Sequence, residues 1–420
     1  MSETEPAASR SAARLVVLVC TAQVLAQIGA FTWPAILPRM MALWQLTNSE
    51  AGWVTAAFYL AYMLAVPILV TLTDRIDAKA VYLLGVALIL VGHFVFAFLA
   101  DGLWSAVAAR ALTGMGWAGT YMTGLKLLAD RIDKSLMSRA VAGHAASIGL
   151  SGAASFLFAD TLANLYGWQS AFLASALCAV AAWLIVAVFA PWKPKRVAAA
   201  APPTAAKQPA LFDFRPVFAN RSAMAYACVY CIHTLEMNAL RGWGVAFLAY
   251  VAAKTNTTST WLTPAVVITA LGLLGTLASV LGNEASIRLG RQRLIRLAMI
   301  GSIAIAAVIG FVGPLSYTLA ASLLLVYGVF IWLDSSSLTA GAAGTAEPSR
   351  RGATLAVHSM LGYSGGFVGP IVVGVTLDLA GSASDLAWGL AFLQVALLML
   401  GAYAVFKWLD PRGLDGDRKA

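Results

Sequence analysis

The sequence predicts an all-α integral membrane fold of twelve transmembrane helices in two pseudo-symmetric six-helix halves, and three observations carry that prediction. Hydrophobic residues make up 60% of the 420 positions and charged residues only 11%, whereas soluble domains carry roughly a quarter charged residues. The apolar residues gather into twelve runs, each long enough for a helix across a hydrocarbon core of about 30 Å, which takes about 20 residues. Several spaced features of the first six runs also recur, in order, in the last six.

The runs lie near residues 14 to 36, 50 to 72, 80 to 100, 103 to 127, 138 to 164, 168 to 191, 222 to 250, 261 to 283, 294 to 313, 315 to 340, 352 to 380 and 385 to 408. Backbone groups in lipid must bond within their own segment, so each run reads as a helix; the alternating ten-residue strands of a barrel are absent from the sequence. The first run reads as a retained span behind a tail at 1–13, not as a cleaved leader. The longest interruption, Trp192 to Asn220, is WKPKRVAAAAPPTAAKQPALFDFRPVFAN, and its Ala, Pro and basic residues are linker composition. It separates a half at 14–191 from a half at 221–408, with a second tail at 409–420. Four cysteines make no disulfide framework. Cys228 and Cys231 have CxxC spacing but stand on an apolar helix, where packing is the plainer reading.

The net charge of +9 raises the possibility of a nucleic-acid partner, and its distribution answers it. With twelve spans and the N-terminus inside, 24 of the 28 Lys plus Arg fall on cytoplasmic tails and loops. Arg39 and Lys254 lie on the other side, and Arg110 and Arg241 lie inside helices. This is the positive-inside asymmetry of a multi-pass protein with both termini cytoplasmic, expected in a bacterial inner membrane. The lipid bilayer is the partner that explains the charge, and no nucleic acid is needed.

The repeat is visible in aromatic and histidine positions. Trp33 matches Trp243, 210 residues on, and His144 matches His358, 214 on. YGWQSAFL at the sixth span matches LAWGLAFL at the twelfth, aligning Trp168 and Phe172 with Trp388 and Phe392, 220 on. Both histidines open a stretch ending in Gly-x-Ser-Gly, GHAASIGLSG and VHSMLGYSGG. Ordered matches with a slowly growing offset imply parallel halves of six spans.

Four further stretches carry a resemblance. LTDRIDAK follows the second span, LADRID the fourth and NEASIRLGRQR the eighth, while RALTGMGWA lies within the fourth. With these, the chain resembles the major facilitator superfamily over nearly its full length. In that family's loop, Gly-x-Leu-Ala-Asp-Arg-x-Gly-Arg-Lys, the positions matched are Leu72, Asp74, Arg75 and Lys79; Val70, Asp77 and Ala78 depart from it. The second copy keeps Arg288, Gly290 and Arg291 and has Ile287 at the acid's position. Arg110, Gly114, Gly116 and Ala118 follow the family's Arg-x-x-x-Gly-x-Gly helix. The resemblance implies the major facilitator fold and a monomeric secondary transporter of a small solute, working by alternating access and not as an enzyme. It implies a central cavity ringed by spans one, four, seven and ten. It also implies a cytoplasmic gate at Asp74, Arg75, Lys79, Asp130 and Arg131; topology and solubility are the alternative reading of those charges. FTWPAILPRM and LTNSEAGWVTAAFYLAYMLAVP look like segments of prokaryotic anion and carboxylate porters.

Charges inside the spans point to a site independently. Arg110, Glu236, Arg241 and Asp334 lie within predicted helices, and each would cost about 2.5 to 3.5 kcal/mol if it faced lipid at mid-depth, so they are expected to line a cavity. Helical spacing places Gln23 with Gln27, Arg110 with Trp117 and Tyr121, Tyr226 with Tyr230 and His233, and Tyr327 with Asp334. Gln23, Gln27, Arg110, Trp117, Tyr121, Tyr230, Arg241 and Tyr327 are the expected substrate contacts, aromatic with a few polar groups as in small-molecule pockets. Helix packing is the alternative for each aromatic. Arg110 and Arg241 reach similar depths, which suits a planar anion gripped by paired donors; neutralisation of Glu236 or Asp334 is the competing role. His233 and Glu236 share a face, and with Asp334, His144 and His358 they are the candidates for a coupling proton. No cofactor is expected beyond a proton or another coupling ion.

The leading function is therefore proton-coupled uptake of a small organic or inorganic anion, with efflux of an amphipathic drug or metabolite as the alternative. Two other classes remain. Gly-x-Ser-Gly with a histidine on another span suggests an intramembrane serine protease, and a transporter-like receptor would bind without moving its ligand. Neither a HExxH site nor a Walker loop occurs in the sequence. The duplicated Gly149, Gly152, Gly362 and Gly365 are expected to let spans five and eleven approach neighbours at the interface between halves, with Ser151 and Ser364 bonded to backbone carbonyls.

Overall fold

The computed structural model describes residues 5–132, 134–192, 214–257, 261–412 and 414. The start of the expected N-terminal tail (1–4), most of the expected linker (193–213) and the end of the C-terminal tail (413, 415–420) lie outside the described residues. Every regular element among the described residues is helical. The first half contains α1 (Glu5–Gln27), α2 (Thr32–Ala35), α3 (Leu37–Trp44), α4 (Asn48–Leu72), α5 (Ala78–Leu99), α6 (Leu103–Ala118), α7 (Tyr121–Ala129), α8 (Lys134–Tyr166) and α9 (Trp168–Phe189). After a short α10 (Arg215–Ala219) come α11 (Arg221–Lys254), α12 (Pro264–Leu289), α13 (Arg291–Val312), α14 (Tyr317–Leu333), α15 (Ser335–Gly344), α16 (Arg351–Leu379) and α17 (Asp385–Leu409).

These helices trace twelve crossings, three of them broken: α1 to α3 form the first, α6 and α7 the fourth, and α14 and α15 the tenth. Among the described residues, nine helical segments are long and apolar enough to cross a membrane by length and composition. The crossings outside that set are the first, fourth and seventh. Breaks shorten two of them, and α11 carries Glu236 and Arg241.

Local chemistry sets the helix ends. Thr47 and Glu50 form a reciprocal capping box at the start of α4, while Asp77, Asn220, Thr263 and Ser384 each accept a backbone N–H at the start of α5, α11, α12 and α17. Gly290 turns the chain between α12 and α13 at φ +90°, a left-handed conformation for which a side chain would be a steric burden.

The duplication seen in sequence is a duplication of packing. Trp33 sits 5.8 Å from Phe96, which stacks on Phe172 at 3.8 Å beside Trp168. In the second half Trp243 meets Trp388 at 6.4 Å, and Trp388 meets Phe392. Each half thus closes one end of its bundle with matching aromatic residues.

The halves meet through α4 against α16 and α8 against α12, with α11 touching α2 and α3. Gly149 lies at this interface: a Cβ there would meet Thr276 Oγ1 of α12 at 2.6 Å. Gly152 backs onto Phe31 of its own half, at 3.2 Å. Gly362 and Gly365 do not face the other half. They pack against Tyr230 and the Cys231 carbonyl of α11, because α16 presents a different stripe to α4, including Gly374 against the Asn48 carbonyl.

Candidate functional site

A pocket lies between the halves, lined by Gln27, Phe31, Trp117, Ser151 and Arg241 among others. Its floor is the break in the first crossing. Where α1 stops, the backbone groups of residues 28–31 lose some of their helical partners and need others. Ser155 Oγ accepts the Phe31 N–H at 2.9 Å, and the Arg110 guanidinium donates to the Ala30 carbonyl at 3.1 Å. Arg110 is 2% exposed and lies over the Phe58 ring at 4.6 Å.

Arg241 approaches the same break from the other half. Its guanidinium carbon lies 5.0 Å from the Phe31 ring and 4.9 Å from the Trp332 ring, contacts that favour a cation. Arg241 makes no ion pair or hydrogen bond among the described residues, and it is partly exposed to the pocket. The two arginines thus converge on successive residues, Ala30 and Phe31, with different duties: one satisfies backbone, and the other offers its donors to the pocket.

Of the other expected contacts, Gln27 donates to Thr120 Oγ1 at 3.5 Å, joining the break of the first crossing to that of the fourth. Trp117 lines the pocket and packs on Phe58 at 4.9 Å. Gln23 is turned into the first half, where it accepts from Tyr82 OH at 3.0 Å. Tyr121 and Tyr230 stack on histidines, at 6.1 Å on His144 and 4.0 Å on His358. Tyr327 donates to Glu236 at 2.7 Å inside the second half.

The acids and histidines of the second half form a run of contacts. His358 stacks on Tyr230, Tyr230 on His233 at 5.6 Å, and His233 Nδ1 lies 3.1 Å from Asp334 Oδ1, at the break between α14 and α15. That distance puts the imidazole and the carboxylate in contact, although the atoms are not aligned as a hydrogen bond. One turn from His233, Glu236 Oε1 accepts from Ser302 and Tyr327. Neither acid pairs with Arg110 or Arg241.

Of the charges expected to form a gate, Asp74, Lys79 and Arg131 have partners within the first half. Arg131 pairs with Asp77 at 2.5 Å and donates to the Pro191 carbonyl at 2.7 Å. Lys79 is buried and donates to the carbonyls of Ala187 and Ala190 at the end of α9, at 2.8 and 2.7 Å. Asp74 lies 3.5 Å from Lys126, and Arg75 is exposed. Asp130 caps the end of α7 with its backbone N–H.

The duplicated serines have structural partners. Ser151 Oγ donates to the Ile148 carbonyl at 3.1 Å and Ser364 Oγ to the Leu361 carbonyl at 2.7 Å. His144 Nε2 lies 2.8 Å from the Tyr121 carbonyl and His358 Nε2 3.3 Å from Thr339 Oγ1. No nucleophile–base pair is formed by these groups. The sequence reading missed Phe31, Trp332, Ser155, Thr120 and Ser302 as site residues; none carries a charge, and of the five Phe31 alone stands in a quoted motif stretch, FTWPAILPRM.

The family model described as Major Facilitator Superfamily matches residues 19–370. An MFS-type transporter of Bacillus subtilis (strain 168), YbcL, is 28% identical over 155 residues, 36% of this chain and 38% of that protein. The chain thus spans well under half the length of that curated relative. A bacterial homologue of the human lysosomal transporter Spinster, in an inward-facing and unoccupied conformation, superposes with a TM-score of 0.77 at 14% identity, covering 95% of this chain and 97% of that one. The nucleoside transporter NupG gives a TM-score of 0.73 at 14% identity, covering 95% and 99%. At such identities these structures share the fold.

Proposed function

The chain belongs to the Major Facilitator Superfamily, and from that premise we propose that it is a monomeric secondary transporter that takes up a small anion by alternating access, coupled to protons. One observation carries the anion reading: Arg241 stands at the pocket between the halves over two aromatic rings, with no acid beside it among the described residues. A guanidinium in a poorly solvated pocket favours an anionic partner, and its fork of donors matches a carboxylate or another planar anion. Gln27 and Thr120 supply neutral polar groups at the neighbouring break, and Phe31 and Trp117 supply apolar wall.

The place where the halves are tied supports alternating access. Asn48 and Ser49 of the first half bond to Asp378 and Ser382 of the second, at the face opposite Asp77 and Arg131. The charge asymmetry supports a cytoplasmic basic face, and with it the contacts support an inward-facing state closed on the outside. The His233–Asp334 pair is the proposed proton carrier, because it sets an imidazole against a carboxylate inside the helices. Efflux of an amphipathic drug or metabolite is less well supported, since the charged residue lining the pocket between the halves is an arginine.

The test is uptake by purified protein in proteoliposomes, with a panel of carboxylates and nitrate-like anions under an imposed pH gradient. Arg110→Ala and Arg241→Ala are each expected to abolish uptake. Wild-type uptake of the panel's substrate by both variants would sink the anion reading.

A further inference from the structure

Trp332 is buried and does not line the pocket between the halves, yet its ring centre lies 4.9 Å from the guanidinium carbon of Arg241, which does line it. Phe31, from the first half, bears on the same guanidinium at 5.0 Å. With no hydrogen bond or ion pair to Arg241 among the described residues, these two rings are the contacts that orient it.

Both rings are themselves seated. Trp332 is the last residue but one of α14, and its ring lies against Gly275 of α12, where a Cβ would come within 2.7 Å of Cδ2. Phe31 stacks on Phe156 at 5.3 Å and 8°, and its backbone N–H is held by Ser155. The repeat explains why the rings and the arginine meet. Phe31 and Arg241 are 210 residues apart, the offset of Trp33 and Trp243, so equivalent positions of the two halves touch each other. Trp117 stands last but one in α6 as Trp332 does in α14, but of the two Trp117 alone reaches the pocket wall.

A free arginine side chain loses rotamer freedom when it binds, and its paired donors match two acceptor atoms only when the guanidinium plane is held at one angle. Aromatic faces hold a planar cation through quadrupole attraction and stacking. A fork held in this way favours anions that present two acceptor oxygens over a spherical ion of equal charge. A loose one answers to charge alone.

We infer that Trp332 is a positioning residue for the solute: with Phe31 it holds the Arg241 guanidinium with its donors toward the pocket, and this selects planar anions. The inference rests on the anion reading and adds the residue that gives that site its selectivity.

The experiment is thermal unfolding of the purified chain titrated with sodium formate, acetate and nitrate, against sodium chloride at equal ionic strength. A saturable rise in melting temperature with at least one of the three, at lower concentration than with chloride, is expected of the parent. Trp332→Leu is expected to weaken that apparent affinity about tenfold and to shrink the preference over chloride. Trp332→Phe keeps a ring and is expected to stay within about threefold of the parent. Gly275→Ala displaces the Trp332 ring from outside the pocket and is expected to weaken affinity as well. In an Arg241→Lys background, Trp332→Leu is expected to add less than about twofold. Parental affinity in Trp332→Leu would overturn the inference and leave the anion reading standing, whereas a parent that answers to none of the three anions would remove both. Equal loss in Trp332→Phe, or the full loss in the lysine background, would assign the ring to packing and overturn the inference too. If Trp332→Leu does not fold, Gly275→Ala decides.

Discussion

Ser49 donates both its backbone N–H, at 2.8 Å, and its hydroxyl, at 2.5 Å, to one carboxylate oxygen of Asp378. The other oxygen takes the backbone N–H and side-chain amide of Asn48, at 3.0 and 2.7 Å. A carboxylate from one half therefore sits on the N-terminus of a helix from the other, where free N–H groups and the helix dipole favour negative charge. Asp378→Asn keeps the shape and removes the charge. Hydrogen bonds to a charged group contribute about 1.5–3 kcal/mol each, so losing even one shifts the balance of states about tenfold or more. The expected outcome is a labelling rate at least about tenfold higher for Thr55→Cys, buried near this face, in a background lacking the four native cysteines. The reagent is an impermeant maleimide, and an unchanged rate would show that the contact does not hold the halves together.

Helix crossings built on glycine give a second prediction. A Cβ on Gly282 would run into the Leu333 carbonyl of α14, and one on Gly114 into the Phe58 carbonyl of α4. Neither obstacle is a flexible side-chain tip, so the helices themselves must part; overpacking of this kind costs about 1–3 kcal/mol. Gly401 has nothing within 4 Å, and alanine there gains up to about 1 kcal/mol of helix propensity. Gly282→Ala and Gly114→Ala are expected to melt lower than the parent in detergent, and Gly401→Ala at the parent temperature or above. Equal melting of all three would contradict the packing described.

Much of this architecture is legible in the sequence because lipid enforces it. Apolar runs, basic loops and the Trp33 and Trp243 repeat each follow from a bilayer or from duplication, and each leaves a one-dimensional trace. Breaks in the crossings leave none. FTWPAILPRM marks the stretch that Phe31 opens but not the ring itself, whose importance comes from Arg241, 210 residues away in the chain. Spacing correctly puts Gly365 on a close-packed stripe, but helical periodicity does not say which neighbour that stripe meets, and it meets α11 rather than the other half. Lys79 fits a loop motif, yet its side chain reaches the open carbonyls at the end of α9, a partner that only the fold supplies.

The two arginines inside the helices should separate by phenotype. Arg110 completes the break at Ala30, and its removal strands a buried carbonyl at a cost of about 1–3 kcal/mol. Arg241 makes ring contacts and no hydrogen bond among the described residues. Arg110→Ala is therefore expected to lose uptake and melt lower, whereas Arg241→Ala loses uptake and keeps close to the parent melting temperature. Arg241→Lys keeps the charge but not the fork, and a raised KM with a smaller change in maximal rate is expected in initial-rate uptake. A parent-like KM in Arg241→Lys would remove paired-donor recognition from the account.

Coupling is tested at Asp334. Its carboxylate lies 3.1 Å from His233 at the break of the tenth crossing, and both side chains are almost fully buried. If the pair carries the proton, Asp334→Asn leaves His233 without its carboxylate partner. Solute exchange needs no net proton movement and is expected to continue in counterflow. Accumulation against a gradient requires the proton to load and unload on every cycle and is expected to disappear under an imposed pH gradient. His233→Gln should move both measurements the same way, because either substitution breaks the pair. A variant that still accumulates solute as the parent does would exclude this pair as the carrier, and loss of counterflow as well as accumulation would assign it to solute binding instead.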